Sequence, residues 1–334
     1  MKKLLYSLTF LTLFSSPLMA TVLRVNNQLA TNATQKIFNT LQEAHNFAAG
    51  GDTLMVEGTP TQYANVVLTK KLVIIGTGYF INENFDNSGG QHSSRVNNIT
   101  LNAGSGGSVL LGLSFVVNGN PIINTDNIII SRCLLTSAIS FNFSETSNLV
   151  ITQNYFLAGA VTGVGSSTRI SNVVFSNNVV NGIFNPGSDI NKSFSAVNNN
   201  VFRGTGINTI NVRTDNFRNN IIATNATSIT VISNNISNNL TLANQLTGNN
   251  NQLYDPNLLF VGAGNSTDGQ YAIKVDSPYK TAGFQGVEPG IFGGNSPYVL
   301  SGMPPFPIIL NLSADSFGTQ QNGLNVSIKA KTNN

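Results

Sequence analysis

Four carboxylates, Asp126, Glu145, Asp189 and Asp215, share the middle of the chain with three cations, Arg169, Lys192 and Arg213. Side chains of these types cleave glycosidic bonds in two ways. Hydrolysis takes a pair of close carboxylates, one acting as acid and one as base or nucleophile. Elimination from a uronic acid takes a basic residue beside the substrate carboxylate, commonly with Ca²⁺ held by acidic side chains. The carboxylates stand at a different offset in each copy of the repeat described below, so neither constellation is expected and no catalytic residue is assigned. The cations drift by only one residue from coil to coil. Arg169, Lys192 and Arg213 are therefore read either as solvated turn residues paired with Asp189 and Asp215 or as a loose basic column for an acidic sugar, with Arg203 and Arg218 nearby.

A second cluster lies in Asn82 to Asn98, NENFDNSGGQHSSRVNN, where Glu83, Asp86, His92 and Arg95 come together. Long loops often carry function, so His92 and Arg95 are further ligand candidates. No second ligand stands at metal spacing, and neither a metal nor a cofactor is expected. Tryptophan is absent. The aromatic platforms left for a sugar are Tyr63, Tyr79, Tyr155, Tyr254 and Tyr271.

What positions these residues is a repeat between Asn127 and Ser237. It reads NIIISRCLL, NLVITQNYF, NVVFSNNVV, FSAVNNNVF, DNFRNNII and ITVISNNIS. Aligned on the polar turn, one position holds Cys133, Asn154, Asn178, Asn200, Asn220 and Asn235. A period near 20 with a strand-like apolar core predicts a solenoid whose coils bury one another. The aligned position predicts an asparagine ladder, its amides bonding from coil to coil and its backbone left-handed. Cys133, the sole cysteine, is expected to be a small buried rung. Ile130, Ile151, Phe175, Val197, Phe217 and Ile232 are always apolar and are expected to fill the core. Ile129, Val150, Val174, Ala196, Asn216 and Val231 should face out, yet five of the six are apolar. A covering layer is therefore expected over that face, supplied by Ser296 to Lys331, which contains two strand-like runs.

Composition agrees with stacked strands: 9% of residues are charged, 41% are hydrophobic, and 50 of the 334 are asparagine. The net charge of +3 includes Lys2 and Lys3, which argues against a nucleic-acid partner. Those lysines begin MKKLLYSLTFLTLFSSPLMA, residues 1–20, which reads as a secretory signal peptide and not a transmembrane span. Next, Thr40 and Glu43 form a capping-box pattern before an apolar stripe that ends at Gly50-Gly51. This predicts a helix over 40–49 that closes the open end of the core, with His45 as an ordinary helix residue.

The cap helix followed by GDTLMVEGT, Tyr63 and KKLVIIGTG resembles the amino-terminal end of secreted right-handed parallel β-helix proteins of the pectin-lyase-like class. The resemblance continues through GSVLLGLSF and DPNLLFVGAGNSTDGQYAIKVDSPYKTAG. The closing stretch from Pro289 resembles tails of secreted β-helix proteins of Bacteroidetes-type bacteria, a group without an assigned activity. The resemblance implies an all-β right-handed parallel β-helix over 21–295 and a carboxy-terminal β extension over 296–334 that packs on the solenoid. It implies Gram-negative export to the cell surface or medium. The expected role is a non-catalytic scaffold that binds polysaccharide or a cell-envelope component. A polysaccharide lyase or glycoside hydrolase is the alternative, and a subunit of a larger surface assembly a third reading.

Overall fold

A computed structural model describes residues 20–331 apart from 86–90, 163, 205–208, 227 and 322. The expected signal peptide and Asp86 thus lie outside the described residues, except for Ala20. Three parallel sheets wind around one core in about eight turns, an all-β solenoid. The first sheet runs from Val22–Val25 through Thr53–Val56, Val73–Ile75, Val109–Leu111, Ile129–Ser131, Glu145–Thr152 and Arg169–Ser176 to Lys192–Asn198 and beyond. The second stacks two-residue strands from Arg95–Val96 to Gln252–Leu253, and the third holds four short strands beginning at Val66–Leu68. Strand pairing keeps equivalent residues in line, as in Ile130 against Ile151 and Ile151 against Phe175. Inward positions therefore form continuous columns. Phe156, Phe175, Phe184, Phe202 and Phe217 are all buried there, several with stacked rings.

Helix α1, Leu41–Phe47, closes the amino-terminal end. Thr40 accepts the Glu43 N–H and Glu43 accepts the Thr40 N–H, as its sequence predicts. Leu41 and Ala44 face the core. His45 is buried, and its Nε2 accepts the Thr69 N–H at 3.0 Å, joining helix to coil. Lys70 Nζ donates to the carbonyls of His45, Asn46 and Ala48, satisfying the acceptors that a helix carboxy-terminus leaves open.

The ladder is present, with one rung moved. Asn154 Nδ2 donates to Asn178 Oδ1, Asn178 to Asn200, Asn200 to Asn220, Asn220 to Asn239 and Asn239 to Asn251, at 2.9–3.2 Å. Each Oδ1 also accepts the backbone N–H of the rung before it; Cys133 N donates to Asn154 in this way. Asn235 is not a rung. Phe217 pairs with Ile236 and Ile221 with Leu240, so the phrase Ile236 to Thr241 is the true repeat and Ile229–Ile232 belongs to the preceding edge of the coil. Two overlapping SNN-like phrases within a few residues made the register ambiguous. Ile232 accordingly faces out, 39% exposed, and Val231 packs toward the core.

The left-handed backbone also sits one residue earlier than expected. Arg132, Gln153, Asn177, Asn199 and Asn219 have φ between 54° and 60°, and Asn238 has φ 56°. The turn needs αL at this preceding residue, which points its side chain outward. The rung itself turns inward and is fully buried from Asn154 to Asn220.

A covering layer exists, but over a different sheet. Leu134, Tyr155, Val179, Val201, Ile221 and Leu240, each directly after a rung, form a second apolar cluster with Tyr254, Leu259, Tyr271, Ile273, Ile291 and Tyr298. The segment 254–303 therefore covers the outside of the second sheet. The stripe expected to be covered is open in part: Ile129 is 37% exposed, and Val150, Val174 and Ala196 are half-buried. Ser296 to Met303 belongs to the covering layer, and the two expected tail strands, Ile308–Ala314 and Val326–Lys331, pair antiparallel with each other. Leu312, Val326 and Ile328 of that hairpin are exposed.

Candidate functional site

The loose basic column is not assembled. Ile170 pairs with Lys192, so Lys192 points inward with Ile170, and its buried stem delivers Nζ to Asp189 at the surface. Ser193 pairs with Arg213, which places Arg213 on the opposite face, where Nε donates to the Ser188 carbonyl at 3.2 Å. Arg169 is exposed and lies opposite Glu145. A strand side chain changes face with each residue, and the one-residue drift was enough to split the three cations. Among the described residues Asp215 makes no ion pair. Arg218 lies with its guanidinium carbon 4.4 Å from the Phe284 ring centre, beneath the covering layer. Arg203 donates to Tyr271 Oη at 2.6 Å.

The loop cluster separates as well. Glu83 accepts the Thr267 N–H and Asn84 donates to Asp268 and Ser301, so this end of the loop holds the covering segment. His92 and Arg95 are exposed and, among the described residues, join no ion pair with Glu83. No three His, Cys, Asp or Glu among the described residues are placed to hold a metal. Tyr63, Tyr79, Tyr155, Tyr254 and Tyr271 are all buried, so none offers a ring face to solvent.

What the structure does assemble is a seam. The outward-pointing αL side chains bind the covering segment as it returns along the solenoid. Asn238 donates to Ala282 O, and Asn219 Oδ1 accepts the Phe284 N–H. Asn199 donates to Glu288 and Gly290, Asn177 to Ile291 and Gly293, Gln153 to Pro297, and Arg132 to Met303. An irregular strand must find partners for its carbonyls when buried, and this column supplies them.

At its amino-terminal end the seam opens into a cleft of about 660 Å³, lined by Asn84, Arg132, Gln153, Phe292, Asn295 and Tyr298 among others. Beneath it Asp268 is fully buried and accepts from Asn84, Ser301 N and Tyr298 Oη, and Tyr79 and Tyr298 share a 2.6 Å hydroxyl contact. Burial pushes both phenols well above their ordinary range, so neither is a base near neutrality. Arg132 donates Nε to Gln153 Oε1 at 3.1 Å and one terminal nitrogen to Met303 O at 2.9 Å. Among the described residues it has no carboxylate within ion-pair distance, and burial lowers its pKa. Among the described residues the lining holds no carboxylate, histidine, lysine or thiol. What these residues offer a ligand is one guanidinium, several amides and aromatic edges.

Arg132 carries no assigned role in the sequence reading, although it directly precedes Cys133. The signal that could have found it is the column Arg132, Gln153, Asn177, Asn199 and Asn219, in which every side chain can donate a hydrogen bond. Comparison with protein-family models, curated proteins and solved structures finds no match for this chain.

Proposed function

We propose that the protein is a secreted or surface-associated β-helix scaffold of the pectin-lyase-like class, without catalytic activity, that binds a polysaccharide or another cell-envelope component in the cleft at Arg132. The observation that carries this reading is Arg132 itself. A half-buried guanidinium with no carboxylate partner among the described residues is costly, and an anionic group entering the cleft would complete it. The surrounding amides suit hydroxyl-rich ligands, whose orientation needs several weak, directional bonds. Export rests on the MKKLL-type leader and on the motif-level resemblance of the coils.

The rival, a polysaccharide lyase or glycoside hydrolase, needs a proton acceptor or a carboxylate pair near the bound bond. Among the described residues the cleft lining offers neither, and the separated cations Arg169, Lys192 and Arg213 offer no shared site.

The test compares acidic polysaccharides with neutral ones of similar length by calorimetry, using the wild type, Arg132→Gln and Arg132→Lys. Binding of an acidic ligand that falls about tenfold or more in Arg132→Gln, with unfolding temperature held, supports the reading. Equal binding by all three proteins, or release of shortened or unsaturated products by the wild type, overturns it.

A further inference from the structure

The two ends of the solenoid are finished differently. Helix α1 closes the first coil, and its carboxy-terminal carbonyls are taken by Lys70. Among the described residues the last coil has no such helix over it. Strand Ile229–Ile232 pairs with Ile210–Thr214 on one side, and among the described residues no strand pairs with its other edge. Ile236–Ser237 likewise pairs only with Phe217–Arg218. Burial records the difference. Ile210, Val212 and Phe217 are fully buried, whereas their neighbours in the last coil, Ile229, Val231 and Ile236, are only partly so. Leu246 packs against this end, held by Gln245, which donates to the carbonyls of Thr224 and Ala226. One leucine covers part of the opening.

Exposed sheet edges recruit other strands, and proteins usually blunt them with charge or proline. This edge has neither. Between Arg218 and Asp255 the sequence contains no Asp, Glu, Lys, Arg, His or Pro. Thr230 and Ile232 point outward along the terminal strand, and the stretch as a whole is Asn, Gln, Ser, Thr, one Gly, one Tyr and aliphatic residues.

We propose that this end is a docking surface for a second copy of the chain. Two Ile229–Ile232 strands pair antiparallel about a twofold axis, continuing the first sheet from one molecule into the next. The absence of charge selects this occupant. In a twofold contact each residue near the axis meets its own twin, so any charge there would face a like charge. A charge-free edge avoids that cost, while a partner of fixed opposite charge would find nothing to complement. Head-to-tail stacking is blocked because the opposite end carries helix α1. The assembly is therefore a closed, tail-to-tail dimer with the two Arg132 clefts on separate solenoids.

Light scattering and sedimentation of the purified full chain over a dilution series test this. The expected species at the concentrated end has twice the 35.5 kDa chain mass. Thr230→Lys and Ile232→Lys place charges at the axis from outward-facing positions, and each is expected to weaken association by about tenfold or more. Circular dichroism is expected to remain that of the wild type. Ile328→Lys, on the carboxy-terminal hairpin, is expected to leave the dimer intact. A wild type that stays monomeric throughout overturns the proposal, as does a dimer that survives both lysines. Loss of the dimer in Ile328→Lys with retention in the other two would make the hairpin the contact instead, and an open series of larger species would make the contact head-to-tail. Either result also overturns it.

Discussion

Asn177 Nδ2 donates to the carbonyl oxygens of Ile291 and Gly293, at 2.9 and 2.8 Å, across more than a hundred residues of chain. The asparagine is buried and its backbone is left-handed, φ 54°. One residue thus makes the turn of its own coil and fastens the covering segment. The two roles can be separated. Asn177→Gly keeps the left-handed turn and removes the amide, leaving buried carbonyls unpaired at a cost of ~1–3 kcal/mol. Asn177→Ala adds backbone strain of ~1–2 kcal/mol. Denaturant unfolding should therefore rank wild type above glycine above alanine. A glycine variant as stable as the wild type would show that the amide contributes nothing.

The displaced rung gives a sharper comparison. Asn239 Oδ1 accepts from both Asn220 N and Asn220 Nδ2, and its Nδ2 reaches Phe217 O. Asn235 sits outside the core and bonds Asn216 Oδ1 at 3.0 Å. Asn239→Ala is expected to cost at least ~2 kcal/mol through stranded backbone groups. Asn235→Ala should cost under ~1 kcal/mol, as a partly exposed site would. The opposite order in thermal unfolding would restore the register that the sequence alone suggests.

How far the sequence could be read follows from where each signal lives. The coils, the cap helix and five of six rungs are short-range patterns: a period, a capping box, a polar turn. The face occupied by the covering layer is not local. Leu134, Tyr155, Val179, Val201 and Ile221 look like ordinary strand residues until a segment that begins more than thirty residues downstream of the last of them lies across them. The basic column failed for a geometric reason, since Lys192 is turned inward by its pairing with Ile170. The cleft at Arg132 needs the solenoid and the covering segment together, so neither stretch of sequence carries it alone.

Acid should loosen two particular points. The Thr31 hydroxyl, ahead of the capping contacts at Thr40 and Asn39, holds Glu43 below its usual range, and the Lys192 ammonium does the same for Asp189. Both carboxylates are favoured in the charged form by the fold. Their contribution is complete above the unfolded values, about 4, and is lost as pH falls through the lowered folded values. Glu43→Gln should flatten the acid limb of the stability–pH curve and leave it unchanged in slope above neutrality. An acid limb identical in wild type and Glu43→Gln would remove the capping box from the account.

Cys133 offers a probe of the stack itself. It occupies the position of a rung but ends the ladder, since its backbone N–H donates to Asn154 Oδ1 while its thiol donates to Ser131 O at 3.2 Å. The side chain is fully buried, and burial pushes the thiol up to about 12. Alkylation needs the thiolate, so at pH 8 the folded chain supplies neither charge nor access. Iodoacetamide should leave the native protein unlabelled over hours and modify it at once in denaturant. Labelling in native buffer would then proceed only through opening of the coil, and its rate would measure that opening. Asn154→Ala removes the one amide that both receives the Cys133 N–H through its oxygen and continues the ladder through its nitrogen, so it should speed labelling more than Asn235→Ala does. Rapid modification of the native wild type would mean that this coil is not closed at Cys133.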